Sequence, residues 1–160
     1  MTELSHLNED GEVRMVNVGD KQITHRTAAA EATVLMSPQT LRLVRDGGFR
    51  KGNVLEVARI AGIQAAKRTS SLIPLCHLLP LDGTEIEFTF PGDGQIVVRS
   101  TVSTSARTGV EMEALTAVSV CCLTIYDMCK SAEKGLQISN IRLLSKTGGR
   151  SGTWTADSPE

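Results

Sequence analysis

Asp127 and Lys130 are the residues whose types and spacing point most directly to proton-transfer chemistry. Asp127 interrupts the apolar run ALTAVSVCCLTIYDMC at 114–129, and Lys130 follows that run. A spacing of three places both side chains on one face of a helix, with Glu113 on the same side. We call this face the polar seam; its residues are Glu113, Thr116, Ser119, Thr124, Asp127 and Lys130. A carboxylate and an ammonium buried beside an anion could exchange protons, whereas a seam facing bulk water would be a solvated surface.

Glu111 lies two residues before Glu113, so on a helix the two carboxylates point in nearly opposite directions. They are therefore not expected to act as a pair in one site. Thr108 and Glu111 have the spacing of a capping box, and Gly135 follows the apolar run. The sequence predicts a core helix within 108–134 that Glu111 caps.

Basic side chains stand at the ends of predicted elements, where a fold can gather several of them into an anion site. They are Lys51, Lys67, Arg68, Lys130, Lys146 and Arg150. Lys146 precedes Gly148 and Gly149, so this segment is not a phosphate-binding loop of the Walker type, but its backbone N–H groups suit an anion. The alternative is solvated surface charge and a floppy terminus.

Cys76 and His77 lie in a segment bounded by Pro74 and Pro80. The prolines favour an extended or turning backbone, which would hold the imidazole in a fixed direction. A metal site made of Cys76, His77 and Asp127 is an open alternative, although no ligand-spacing rule supports it. An exposed or purely structural histidine is the other alternative.

The elements that must position these residues follow the order strand, helices, strand, strand, helix, strand. Strands are predicted at 26–36, 85–90, 95–105 and 136–144, and two helices follow the cap signals at Ser37 and Asn53. This order predicts an α+β, ferredoxin-like antiparallel sheet with helices packed on one face. We expect a mobile arm at 1–20, one catalytic domain at 21–152 and a flexible tail at 153–160.

The second face of such a sheet has no helices to cover it. Ile86, Phe88, Phe90 and Val97 are β-formers that would give it an apolar surface for a partner subunit. This predicts an oligomer.

Composition excludes several classes of protein. A net charge of −1 and five aromatic residues in 160 argue against a nucleic-acid binder. The polar N-terminal sequence has no apolar stretch typical of a signal peptide, and Asp127 interrupts a run too short for a membrane span. Four cysteines without metal-site spacing predict free thiols in a reducing compartment, and we expect the cytoplasm.

Long motifs of this chain resemble those of the molybdenum cofactor biosynthesis protein C family, the cyclic pyranopterin monophosphate synthases. The matching segments are Lys51-Gly52, ARIAGIQAAKRT at 58–69, LIPLCH at 72–77, TGVEMEALTA at 108–117, LTIYDMCK at 123–130 and KTGGRSG at 146–152. They are distributed from residue 51 to residue 152, over most of the chain, in the family's order and spacing.

The resemblance implies a lyase that converts 3′,8-cyclo-7,8-dihydroguanosine 5′-triphosphate to cyclic pyranopterin monophosphate and pyrophosphate in molybdopterin synthesis. A radical-SAM enzyme upstream makes this nucleotide substrate. The family implies a homohexamer, a trimer of dimers, with its pocket at a subunit interface. It implies no resident metal or cofactor, although Mg²⁺ can accompany the triphosphate.

By the same resemblance, Asp127, Lys51 and Lys130 match the family's catalytic positions. Its substrate-binding positions correspond to Leu75, Cys76, His77, Met112, Glu113, Lys146, Arg26 and Lys67. Two residues depart from the family's common pattern, Asn17 in place of Asp and Leu78 in place of Pro. The competing hypothesis is a non-catalytic ferredoxin-like module that binds nucleotides or partner proteins.

Overall fold

The computed structural model describes residues 7, 10–50, 52–150 and 152–156. Its elements in chain order are β1 (Thr24–Leu35), α1 (Pro38–Arg45), α2 (Val54–Lys67), α3 (Thr69–Leu72), β2 (Gly83–Thr89), β3 (Gln95–Ala106), α4 (Glu111–Cys129), β4 (Gln137–Thr147) and β5 (Trp154–Thr155). Lys51, predicted to be catalytic, lies outside the described residues.

The five strands form one sheet in the order β2-β3-β1-β4-β5, and every neighbouring pair is antiparallel. The first strand is central, and the order of the four long strands is that of the ferredoxin-like fold. The predicted fold class is therefore confirmed. The strand β5 was not predicted, and it occupies two residues of the expected flexible tail.

Local signals start the first two helices where the sequence predicted. The Ser37 hydroxyl accepts a hydrogen bond from the Thr40 amide, and Pro38 occupies the first turn of α1. The Asn53 side chain accepts hydrogen bonds from the amides of Leu55 and Glu56 at the start of α2.

The core lies between α4 and the sheet. In β1 the alternate residues Ala28, Ala30, Ala32 and Val34 are buried, and their small side chains let α4 approach the sheet closely. The Ser100 hydroxyl of β3 donates to the Ala114 carbonyl of α4 over 2.8 Å. The same helix packs on α2 at Gly62, where a Cβ atom would lie 3.0 Å from the Ala117 carbonyl oxygen.

Length and composition alone would let α4 cross a bilayer, but 56% of its most apolar window is buried inside this fold. Three cysteines, Cys121, Cys122 and Cys129, are buried there and form no disulfide, as predicted. Burial raises the pKa of the Cys122 thiol to about 12, so this group stays protonated and behaves as a small apolar side chain.

The expectation of an apolar second sheet face is wrong for three of its four residues. Val97 does lie on the uncovered face, opposite Thr33 and Thr89, because its neighbours Ile96 and Val98 are buried on the helix side. Ile86 is fully buried, and Phe88 and Phe90 pack against the same core, on the helix side. Charged and apolar residues alternate along β2, and burial selects the apolar set for the covered face. The uncovered face carries Glu85 and Glu87 of β2 and a Glu31–Arg142 ion pair of 2.7 Å between β1 and β4.

Candidate active site

A cavity of about 430 Å³ lies beside the first turn of α4. Its walls come from the loop after α3, from the segment that enters α4 and from residues 16–21, and they comprise Val16, Val18, Lys21, Leu75, Cys76, His77, Leu79, Thr108, Gly109, Glu111, Met112 and Glu113. The volume is typical of a small-molecule site. Five of the residues predicted to bind substrate are thus brought together: Leu75, Cys76, His77, Met112 and Glu113.

The loop after α3 turns back toward α4 through a hydrogen bond from the Cys76 amide to the Ile73 carbonyl oxygen. His77 Nε2 lies 2.8 Å from the Val16 carbonyl oxygen. A carbonyl oxygen only accepts hydrogen bonds, so Nε2 must carry the proton. The imidazole is therefore held in one direction by the Val16 carbonyl; the part that the flanking prolines were expected to play stays a prediction.

Residues 16–21 form what we call the strap, because they cross one side of the cavity. Asn17 Oδ1 accepts a hydrogen bond from the Gly19 amide over 2.8 Å, and the Val18 carbonyl accepts one from the Lys21 amide over 3.1 Å. Asn17, which stands where the family commonly has Asp, preserves this turn, because its amide oxygen accepts the same hydrogen bond as a carboxylate would. The mobility expected for residues 1–20 stays a prediction.

Glu111 does not cap α4, which corrects the capping-box prediction. The helix begins at Glu111 itself, with Val110 as N-cap and no side-chain cap. A capping-box glutamate must stand three residues after the cap, and here the helix starts too late for that. Glu111 Oε1 instead lies 2.7 Å from Lys146 Nζ of β4, which brings a lysine to the edge of the cavity.

Arg26 is fixed at the end of β1 next to this pair. Its Nε donates to the Ala106 carbonyl over 3.0 Å and its Nη2 to the Arg107 carbonyl over 3.2 Å. Gly149, at φ +71°, passes so close that a Cβ atom would collide with the Arg26 guanidinium. The glycines after Lys146 thus allow close packing over a cation. Ala28 is the partner of Lys146 in the sheet, so Arg26 and Lys146 share its helix-side face.

Asp127 and Lys130 form an ion pair of 2.7 Å at the far end of α4. Their side chains are 60% and 53% exposed, so the expected burial of this pair does not occur within one chain. The hydrogen bond from Lys130 to Asp127 raises the pKa of the lysine. Fourteen residues of helix separate Asp127 from Glu113, which is about 21 Å along the axis.

The polar seam therefore does not form one site within a chain. Its central hydroxyls bond to the helix itself, Ser119 to the Leu115 carbonyl and Thr124 to the Val120 carbonyl. Lys67 is exposed at the end of α2 and does not line the cavity.

The alternative metal site made of Cys76, His77 and Asp127 does not form within one chain either. Cys76 and His77 lie at the cavity, whereas Asp127 lies at the other end of α4. Within the described part of the chain, no three His, Cys, Asp or Glu side chains gather as metal ligands would.

A model of the MoaC family matches residues 15–149, which contain the whole cavity and the Asp127–Lys130 pair. The chain belongs to the MoaC family. Three similar relatives are each named cyclic pyranopterin monophosphate synthase. The protein of Chloroflexus aurantiacus is 56% identical over 153 residues, covering 95% of this chain and 94% of the relative. That of Thermomicrobium roseum is 53% identical over 161 residues, covering 100% and 97%. That of Novosphingobium aromaticivorans is 56% identical over 156 residues, covering 98% and 99%.

Sequence reasoning missed the strap of this MoaC family member. Residues 16–21 show no regular periodicity, so Val16, Val18 and Lys21 gave no signal of a cavity wall. The Asn17–Gly19 turn is the local feature that could have indicated ordered backbone there, and it was not used. Glu111 was considered only as a cap, because its partner Lys146 lies 35 residues away in the chain.

Glu113 is the most strongly perturbed carboxyl group of the cavity. It is only 4% exposed, and this burial raises its pKa to about 6. A hydrogen bond from its own backbone opposes the rise, and the neighbouring charge of Glu111 adds to it. Burial and the charge of Glu113 also raise the pKa of the Cys76 thiol. The MoaC cavity thus holds a carboxyl group able to change protonation just below neutral pH.

We expect Glu113→Gln to stabilise the folded protein at pH 8 by on the order of 1–2 kcal/mol. A folded-state pKa raised from 4.5 to about 6 means that the stability contributed by protonated Glu113 is lost as the pH rises through that window. The free energy of unfolding of Glu113→Gln, relative to that of wild type, should therefore rise between about pH 4.5 and 6 and stay constant above pH 6. Urea unfolding at several pH values measures it.

Met112→Leu is a control for altered packing in the same turn, and it should keep the wild-type pH dependence. An equal stability difference between Glu113→Gln and wild type at every pH would contradict the raised pKa.

Proposed function

We propose that this chain is a cyclic pyranopterin monophosphate synthase of molybdenum cofactor biosynthesis. As a lyase, it converts 3′,8-cyclo-7,8-dihydroguanosine 5′-triphosphate to cyclic pyranopterin monophosphate and pyrophosphate. The observation that carries this proposal is identity of 53–56% to enzymes of that name over nearly their whole length. The matched region includes both the cavity and the Asp127–Lys130 pair.

Formation of the cyclic phosphate ester is the step that expels pyrophosphate. A hydroxyl oxygen of the substrate attacks the α-phosphorus and loses its proton to a base, while the bond to the β-phosphate oxygen breaks. Pyrophosphate leaves with that electron pair. Lys146, which contacts Glu111 of the cavity wall, and Arg26 on the same face of the sheet would stabilise the negative charge that develops on it. Lys67 is a further proposed contributor, although it does not line the cavity of its own chain. Mg²⁺ that accompanies the triphosphate belongs to the substrate, and no resident cofactor is part of the proposal.

Rearrangement of the purine also requires proton transfers, which we assign to Asp127, Lys130 and Lys51. The contact between the Asp127 carboxylate and the Lys130 ammonium is suited to such transfers, and Lys51 is assigned its role through the family resemblance alone. Asp127 and Lys130 lie about 21 Å from Glu113 along α4, too far to act on a substrate in the cavity of their own chain.

We therefore propose that the Asp127 end of one chain completes the cavity of another. A homohexamer arranged as a trimer of dimers would provide such sites, because a two-fold axis repeats each contact twice. The proposed setting is the cytoplasm, with a radical-SAM enzyme supplying the substrate, and neither nucleic acid nor a membrane is a proposed partner.

The proposed function is tested by incubating the protein with the product of the radical-SAM enzyme and measuring pterin fluorescence after oxidation. We expect many turnovers per chain, together with release of pyrophosphate. Product that never exceeds the amount of protein, or no product, would contradict the proposal and favour the non-catalytic binding module.

A further inference from the structure

Lys21 is a cation of the cavity that the matched motifs do not include. Of the described residues that line the cavity, it is the one lysine or arginine. It makes no ion pair with any residue in the described ranges. Lys146, by contrast, uses its ammonium on Glu111. A ligand that enters the cavity would thus meet one lysine whose charge is not already neutralised.

The strap that carries Lys21 is held at both of its ends. The Lys21 carbonyl oxygen accepts a hydrogen bond from Arg107 Nε over 3.1 Å, and the Lys21 amide donates to the Val18 carbonyl. At the other end of the strap, His77 holds the Val16 carbonyl. These contacts join the strap to both other walls of the cavity, so the lysine is carried on a positioned segment.

The charges of the cavity call for such a cation. Glu111 and Glu113 both line it; Lys146 offsets the charge of Glu111, and a triphosphate brought near Glu113 is repelled unless further positive charge lies close by. Lysine is a common phosphate ligand because its ammonium is a compact charge with three donors.

We propose that Lys21 binds a phosphate group of the substrate, and that Arg107 is a positioning residue that holds Lys21 at the cavity. This inference rests on the proposed function for the identity of the substrate. The recognised chemistry is a nucleoside triphosphate, or the pyrophosphate that leaves it. Lys21 acts in binding, and the proton transfers remain with the residues assigned above.

The experiment compares wild type with Lys21→Ala, Lys21→Arg and Arg107→Ala in steady-state kinetics. Lys21→Ala should raise KM on the order of 10- to 100-fold, the scale of a lost charged hydrogen bond, with a much smaller change in kcat. Lys21→Arg should restore most of the affinity, because the charge and donors are kept. Arg107→Ala should also raise KM. The double variant, Lys21→Ala with Arg107→Ala, should have a KM little higher than that of Lys21→Ala alone, because both changes remove the same interaction.

Binding of inorganic pyrophosphate, measured by calorimetry on the same proteins, separates this inference from the proposed function. We expect Lys21→Ala to weaken pyrophosphate binding, and the matched control Lys134→Ala, an exposed lysine beyond α4, to leave it unchanged. Thermal unfolding checks that each variant folds; Lys21 is exposed, so its replacement should be tolerated.

An active enzyme whose Lys21→Ala variant keeps the wild-type KM and pyrophosphate affinity would overturn the inference and leave the proposed function intact. If the wild-type protein lacked synthase activity but bound pyrophosphate, and Lys21→Ala abolished that binding, the proposed function would be overturned and the phosphate-binding role of Lys21 would stand. Lower thermal stability with unchanged KM would also overturn the inference, since Lys21 would then be only structural.

Discussion

Asp127→Asn is expected to lower turnover by roughly 10²-fold or more, the usual scale for loss of a general acid or base. Asparagine has nearly the shape of aspartate and can still accept a hydrogen bond from Lys130, whose ammonium lies 2.7 Å from the carboxylate. It cannot take up or release the proton. Substrate should bind as well or better, because one negative charge that repels the triphosphate is gone. Single-turnover rates and a binding isotherm measure the two effects separately.

Asp93→Asn, in the exposed turn between β2 and β3, is the control for loss of a surface carboxylate and should keep the wild-type rate. A wild-type rate for Asp127→Asn would mean that the Asp127–Lys130 pair is a solvated surface feature. The acid–base role proposed for it would then be wrong.

Mixed oligomers of Lys146→Ala and Asp127→Asn chains should regain about a quarter of wild-type activity, although each variant alone is nearly inactive. The two changes lie at opposite ends of the proposed composite site. If a two-fold axis builds each site from two chains, half of the randomly formed dimers contain both variants. Each of these has one intact site and one doubly altered site. Co-expression of differently tagged chains, followed by tandem purification, isolates the mixed form.

The matched control is a mixture of Asp127→Asn with Lys130→Ala chains. Both changes lie at the same end of α4, so no combination yields an intact site and activity should not recover. A fully active monomer in light scattering, or equal recovery in both mixtures, would refute the composite site.

Local signals account for the parts of the fold that the sequence predicted well. Ser37 and Asn53 act through bonds to amides two or three residues away, so their roles are visible in a short window. The face that Ile86 and Phe88 occupy is not a local property. Alternation shows that they share a face, but only the position of the helices decides which face is covered.

Some residues of the candidate site could likewise be predicted from the sequence, whereas others depend on contacts between distant parts of the chain. His77 and Glu113 were placed in one pocket through the family motifs, and the structure brings them together. Lys21 was missed because the residues that hold the strap beside the cavity are distant in the chain: Arg107, which bonds to Lys21, is 86 residues away, and His77, which bonds to Val16, is 61 residues away. The separation of Asp127 from Glu113 was implicit in the length of α4, since a rigid helix keeps fourteen residues far apart.

The central position of β1 has a consequence for how the chain reaches its native state. This strand is made first, yet its neighbours are β3 and β4, and the Thr27 and Thr147 hydroxyls that meet at 2.7 Å are 120 residues apart. Such a high contact order slows folding, because long loops must close before the pairing is rewarded. On the ribosome, the edge of β1 that pairs with β3 stays open until residue 106 has emerged, and the edge that pairs with β4 stays open until residue 147 has emerged. For most of its synthesis the nascent chain therefore carries an alanine- and threonine-rich strand with at least one open edge, which exposes it to self-association and to chaperones.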